Sequence, residues 1–319
     1  MTAPLISVRI PATSANLGSG FDTLGMALSL YNIFSITELL PRGEYRCETF
    51  GEGANELSDP KNNLVVKTIL QTCEEWGADI PGFVLRSNNV IPLCRGLGSS
   101  AGAVVGGVLI AQALAGKEVG QQELLHIMTR AEGHPDNVAP CFLGGMVVSC
   151  WDGSELRYVS LPSLPEDMHI VVAVPDVRVK TSDAREALPE SVSFQDAVFT
   201  LGRAALLTAA WATGKWDLLS WGMDDKLHQQ YRAKLFPGGE AILDRVRQVP
   251  GCLATSISGS GPSVLALVRG KPRRVAEAMC STFSEHGVRS LFFVLDGNGQ
   301  GAHLEISLDF KSEIERVMR

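Results

Sequence analysis

The chain has 319 residues, of which 45% are hydrophobic and 20% charged, and 32 are glycine. This exceeds a typical domain of ~100 to 150 residues and is too apolar for disorder, so one large α/β unit or a pair of domains is expected. The net charge of -7 leaves no general basic field, which argues against a nucleic-acid partner and requires any anionic ligand to be held locally. The 7 cysteines are odd in number and form no Cys-x-x-Cys pair, a pattern of reduced thiols and hence of a cytoplasmic protein. Residues 1–10 show no targeting pattern. The longest apolar run, 101–116, is broken by Gln112 and falls short of the ~20 residues that span a bilayer, so no membrane segment is expected.

In chain order, residues 5–10 alternate as a strand, 11–22 form a loop of small residues, and 27–40 form a longer strand. The helical spacing of 62–76, behind Ser58-Asp59-Pro60 and before Gly77, predicts a helix, followed by a strand at 83–91. Residues 101–115 are apolar on all sides and predict a buried helix, whereas 121–132 are amphipathic. An antiparallel pair, 144–151 and 156–161, turns at Asp152-Gly153. Pro162 to Pro165 punctuate the chain there, dividing it into domains 1–164 and 165–319. The second half reads as a strand at 169–174, helices at 194–212 and 239–248, strands at 252–257 and 263–268 about a glycine-rich turn, a helix at 273–286 and a strand at 288–295. The irregular alternation with hairpin joins indicates an α+β fold.

The segment Pro92, Leu93, Cys94, Arg95, Gly96, Leu97, Gly98, Ser99, Ser100, Ala101, Gly102 runs into the buried helix. Its glycines let backbone approach an anion, and the helix N-terminus supplies N–H groups and partial positive charge, the makings of a phosphate cradle. No Gly-Lys pair precedes Ser or Thr, which excludes a Walker A loop. Gly96, Gly98 and Ala101 also fit a relaxed dinucleotide fingerprint with Glu118 ~20 residues on, but Pro92 separates strand from glycines and Glu118 sits at a helix end. Two further small-residue loops accompany the cradle: 11–22, with Asn16 and Asp22 able to bind a ligand, and Ser258-Gly259-Ser260-Gly261-Pro262 between strands.

These three loops, with Glu132-Gly133-His134-Pro135-Asp136-Asn137 between the second and third, resemble the GHMP kinases over nearly the whole chain. The first loop, Pro-Ala-Thr-Ser-Ala-Asn-Leu-Gly followed by Phe-Asp, resembles the homoserine kinase form rather than that of the sugar kinases. The resemblance implies a GHMP kinase fold, with an N-terminal α/β domain containing a left-handed βαβ unit, a C-terminal ferredoxin-like domain and the nucleotide between them. It implies transfer of the γ-phosphoryl group of ATP to the hydroxyl of L-homoserine, and leaves open another small-alcohol kinase of the superfamily or a non-catalytic nucleotide sensor. A homodimer is an expectation of the same kind.

Phosphoryl transfer needs positioning and neutralisation of charge, so Mg²⁺ is expected beside the cradle, on Ser100 and Glu132. An amino-acid substrate needs an acceptor for its ammonium, suiting Asp22 and Asn16, and forked donors for its carboxylate, suiting Arg185 and Arg232. By resemblance His134 and Asp136 line the substrate pocket, Thr181 and Asn137 stand at the reaction centre, Asn62 contacts adenine, and Gly259 and Ser260 join the nucleotide site. Asn137 cannot accept a proton as a carboxylate would, which favours catalysis by orientation over a strong side-chain base.

Overall fold

The computed structural model describes residues 4–296 and 299–318. The first half builds a mixed sheet from β1 (Ile6–Ala15), β2 (Leu24–Leu40), β3 (Tyr45–Gly51) and β4 (Gly82–Asn89), with α1 (Leu64–Glu75) connecting the last two. β3 and β4 pair in parallel and the remaining pairs are antiparallel. There follow α2 (Ser99–Leu114), α3 (Gln121–Glu132), α4 (Pro135–Leu143), and the hairpin of β5 (Met146–Trp151) and β6 (Leu156–Leu161), which pairs onto β2.

β1 does not end at Pro11. It continues to Ala15 through a register shift between Pro11 and Ala12 against β2, the kind of irregularity that accommodates a proline within a ladder. Residues 11–15 are therefore strand rather than loop, and only the remainder of 11–22 turns freely. α2 is buried on nearly every side. A Cβ on Gly107 would lie 2.6 Å from Thr68 Cβ, so the bare face lets α1 approach closely.

The second half begins with β7 (Met168–Pro175), followed by α5 (Thr181–Glu186), α6 (Phe194–Thr213), α7 (Leu219–Gly222), α8 (Gln229–Arg232) and α9 (Gly239–Arg247). Then come β8 (Cys252–Ile257), β9 (Val264–Arg269), α10 (Pro272–Glu285) and β10 (Ser290–Asp296). The strands form a second, antiparallel sheet in the order β10-β7-β9-β8, which is the ferredoxin-like order, first strand beside last. β7 is apolar from Ile170 onward because both faces are covered there: Ile170, Val172 and Val174 face the core shared with β1 and β2, while Val171 and Ala173 face α9 and α10.

The chain does not remain in the second unit to its end. β11 (His303–Ile306) pairs antiparallel with β1, and Phe310 of α11 (Phe310–Met318) packs into the core of the first sheet. The expected unit 165–319 is thus corrected: its last strand and helix belong with the first half. β11 is too short to signal itself by hydrophobic alternation, and β3 alternates only weakly, with half-buried Tyr45, Cys47 and Thr49 between exposed Arg46 and Glu48.

Candidate active site

A cleft of about 330 Å³ opens where the two sheets meet. The structure brings the three small-residue loops together at its floor. Ser258 Oγ donates to Gly96 O at 2.7 Å and lies 2.9 Å from Ser14 Oγ, whose hydroxyl it can accept, Gly259 N donates to Ala15 O at 3.1 Å, and Asn16 Nδ2 donates to Gly259 O at 3.0 Å. Among the described residues the non-glycine positions with positive φ are Asn16, Leu17, Asp22 and Cys94, all in these loops. Such backbone persists only where its surroundings over-determine it, and it concentrates at functional sites.

The cradle wraps the N-terminus of α2. Gly98 is its N-cap, in left-handed conformation with φ 70°, and no side chain caps the first turn, so opening N–H groups are left for an anion. A Cβ on Gly98 would fall 1.9 Å from Thr13 Oγ1. Residues Pro92 to Ser100 line the cleft. Ala101 and Gly102 do not: both are buried within α2, and Gly102 N–H is already donated to Gly98 O at 2.8 Å. They serve the cradle by packing.

Asn62 also lies outside the cleft. Its side chain is exposed and donates to Asp59 Oδ2 at 3.1 Å. Asn63 lines the cleft instead, capping α1 through Oδ1 to the amides of Val65 and Val66 while Nδ2 reaches Leu57 O. The deep end beyond it is formed by Asn32, Phe34, Ser87 and Asn89, none of which a local motif singles out.

Asp22, Asn16, Arg185 and Arg232 converge at the other end. Both ends of the Asn16 amide are engaged, Nδ2 by Gly259 O and Oδ1 by Asp22 N at 3.0 Å, so Asn16 holds Asp22 and the third loop in place. Arg185, on α5, pairs with Asp22, which raises its pKa above the ordinary guanidinium value, chiefly through that hydrogen bond. Arg232 differs. It is 2% exposed, gives Nη1 to Gly259 O at 2.9 Å and Nε to Ala184 O at 3.3 Å, and has no carboxylate partner among the described residues. Burial, then the neighbouring charge of Arg185, pushes its pKa down to about 10. The guanidinium group lies 5.0 Å from the ring centroid of Phe21 and lines the cleft.

The Glu132 to Asn137 segment lies between these ends. Ser100 Oγ donates to Glu132 Oε2 at 3.1 Å, and burial raises the pKa of the Glu132 carboxyl despite the opposing charge of His134 and the Ser100 hydrogen bond. His134 is the N-cap residue of α4. Its Nδ1 lies 2.5 Å from Asp136 Oδ1. Thr13 Oγ1 donates to Asn137 Oδ1 at 2.7 Å, and Asn137 Nδ2 donates to Asp136 Oδ1 at 3.4 Å. Thr181 lies at the start of α5 and lines the cleft, as do Gly259 and Ser260.

Two family descriptions match the chain, "GHMP kinases N terminal domain" over residues 63–145 and "GHMP kinases C terminal" over 208–285. The homoserine kinase of Carboxydothermus hydrogenoformans is 44% identical over 286 residues, 90% of this chain and 92% of the relative. That of Natranaerobius thermophilus is 40% identical over 303 residues, 93% of this chain and 97% of the relative. The chain belongs to the homoserine kinase family of the GHMP kinases. A crystal structure of homoserine kinase from Cytophaga hutchinsonii superposes with a TM-score of 0.82 at 30% identity, covering 96% of this chain and 99% of that one. The galactokinase of Lactococcus lactis superposes with a TM-score of 0.68 at 16% identity, covering 93% of this chain and 95% of that one, a likeness of fold alone. Membership makes the chain an ATP-dependent phosphotransferase acting on an alcohol. No helix among the described residues is long and apolar enough to cross a membrane.

Proposed function

We propose that the cleft transfers the γ-phosphoryl group of ATP to the side-chain hydroxyl of L-homoserine, giving the O-phospho-L-homoserine of threonine biosynthesis. The carrying observation is Arg232, a buried guanidinium with no carboxylate partner among the described residues, within the same cleft as Asp22. An unpaired buried charge is costly unless a ligand completes it. Arg232 with Arg185 offers forked donors to a carboxylate, and Asp22 an acceptor to an ammonium, which together describe an amino acid.

The phosphates of ATP would lie on the cradle at Gly96 to Ser100, next to Gly259 and Ser260, with the base towards Asn63 and the deep end. Asn62 is exposed and hydrogen-bonded to Asp59, so the base contact is assigned to its neighbour Asn63, which lines the cleft. Ser100 and Glu132 present a hydroxyl and a carboxylate oxygen side by side, donors suited to Mg²⁺, which completes its shell with water and phosphate oxygens. Among the described residues no group of three or more acidic, His or Cys side chains is placed to hold a metal; phosphate oxygens of the nucleotide would supply the further donors. Mg²⁺ there would neutralise charge on the transferring phosphoryl group.

The side chains near the acceptor hydroxyl position it more than they take its proton. Asn137 cannot act as a base, and Asp136 engages only Nδ1 of His134, so the orienting role is carried by Asn137. Thr181 and Asn137 orient the reacting groups, and His134 and Asp136 shape the pocket wall. An ADP-release assay with L-homoserine, homoserinol, mevalonate and galactose tests this reading. Turnover with homoserine far above the others supports it. Preference for another alcohol identifies a sister kinase, and ATP binding without turnover identifies a nucleotide sensor.

A further inference from the structure

Thr13 is wholly buried in β1, yet its two polar groups both face functional segments. Its backbone N–H donates to Leu97 O in the cradle at 3.1 Å, and its hydroxyl donates to Asn137 Oδ1 at 2.7 Å. The third member of this contact is Gly98, where a Cβ would come 1.9 Å from Thr13 Oγ1 and 3.1 Å from Asn137 Oδ1. Thr13 therefore stands at the point where the phosphate loop and α4 touch.

An amide side chain has a donor end and an acceptor end of the same shape, and its neighbours decide which faces where. Asp136 has Oδ1 against Asn137 Nδ2 at 3.4 Å. An ionised carboxylate only accepts, so it calls for the NH₂ end. That leaves Oδ1 towards β1, where it needs a donor, and the Thr13 hydroxyl is that donor. Without it Asn137 would keep only the longer bond to Asp136 and could rotate away from the cleft it lines.

We infer that Thr13 is a positioning residue for phosphoryl transfer: its hydroxyl fixes the Asn137 amide, NH₂ end available, at a set distance from the phosphate cradle. Preorganised donors of this kind lower the barrier only when held in place before the reaction. The hydroxyl touches neither substrate in this arrangement and acts through Asn137. The inference rests on reading the cleft as that of a homoserine kinase, so wild-type turnover of homoserine is measured first. A wild type without homoserine-dependent ADP release defeats that reading, and with it this role for Thr13.

Thr13→Val keeps the shape of the side chain and removes the donor. It should lower kcat by about ten- to a hundredfold, with KM for ATP and homoserine shifting by less than about threefold. Thr13→Ser, which restores the hydroxyl, should return kcat to within about threefold of wild type. Thr13→Val in an Asn137→Ala background should add almost nothing, since the group it positions is gone. Unchanged kcat in a folded Thr13→Val, a serine variant as slow as the valine one, or additive losses in the double variant would each overturn the inference. If Thr13→Val does not fold, the same comparisons are made with Thr13→Ala.

Discussion

Arg185 grips Asp22 with both arms of its guanidinium group, Nη1 to Oδ2 at 3.0 Å and Nη2 to Oδ1 at 2.9 Å. The side chains are 40% and 35% exposed, so the pair adds little to stability. A zwitterionic substrate offers each partner a replacement, an ammonium for Asp22 and a carboxylate for Arg185. Binding can then exchange one ion pair for two without stranding a charge.

Asp22→Asn and Arg185→Met should therefore weaken homoserine more than they weaken the fold. A loss of about 1 to 2 kcal/mol, roughly five- to thirtyfold in KM for homoserine, is expected for partly exposed charge pairs. KM for ATP should change by less than about twofold. Steady-state kinetics with each substrate varied would check this, and an unchanged homoserine KM in both variants would remove the pair from the substrate site.

Arg232 makes the opposite bargain. Its burial depresses its pKa to about 10, and of its two carbonyl partners Gly259 O keeps the Asn16 Nδ2 bond if the arginine is lost. Arg232→Met should leave Tm unchanged or raise it, because removing a buried charge that Asp22, Asp136 and Asp225 offset only from a distance compensates for the lost hydrogen bonds. The same variant should lose most of the preference for homoserine over homoserinol, which lacks the carboxylate, a change of ~2 to 5 kcal/mol for a desolvated charge pair. Wild-type discrimination retained in the variant would show that Arg232 does not read the carboxylate.

The legible parts of the molecule were those with a local physical signature. α2 was readable because an all-apolar helix must be buried, and β7 because its run from Ile170 to Val174 is apolar, as a strand covered on both faces is. The extension of β1 through Pro11 was not, since a proline ordinarily ends a ladder and only the shift against β2 admits it. Asn62 and Asn63 are adjacent and chemically identical, and helix phase decides between them: the cap of α1 falls on Asn63, turning Asn62 outward. The Thr13 contact with Asn137 spans 124 residues, and no local pattern in either segment announces it.

Glu132 is held by Ser100 and carries a raised pKa, first because of burial. A cation would relieve both the burial and the unfavourable placement of an acidic group at the C-terminal end of α3. Glu132→Gln keeps the shape and removes the charge. It should shift the Mg²⁺ dependence of activity to concentrations about tenfold higher or more and lower kcat as well. Superimposable Mg²⁺ titrations of the two enzymes would take Glu132 out of the metal site.

Gly98 and Gly116 both have positive φ, at 70° and 60°, but only Gly98 has neighbours where a Cβ would go. Alanine at either position carries the same backbone penalty of about 1 to 2 kcal/mol. Only Gly98→Ala should also lose activity, by at least about tenfold in kcat/KM for ATP, because the cradle, Thr13 and Asn137 must move apart. Circular dichroism and Tm on both variants separate folding from function. Equal activities at equal stability would place the phosphates away from this loop.

His134 supplies a pH dependence whose sign follows from its surroundings. Burial disfavours the imidazolium, but the hydrogen bond and charge of Asp136, joined by the charges of Glu132 and Asp22, prevail and raise its pKa above the ordinary histidine value. A group whose pKa is higher folded than unfolded binds its proton more tightly in the native state. Its stabilisation is fully present below the unfolded value of about 6.5 and disappears as pH rises through the folded value. His134→Gln keeps an amide that can still reach Asp136 but cannot carry the charge. The stability gap between wild type and His134→Gln, measured by urea denaturation, should be greatest near about pH 6 and shrink towards about pH 9. A gap that is constant, or that widens with pH, would mean that the imidazolium form of His134 is not favoured by its carboxylate neighbours.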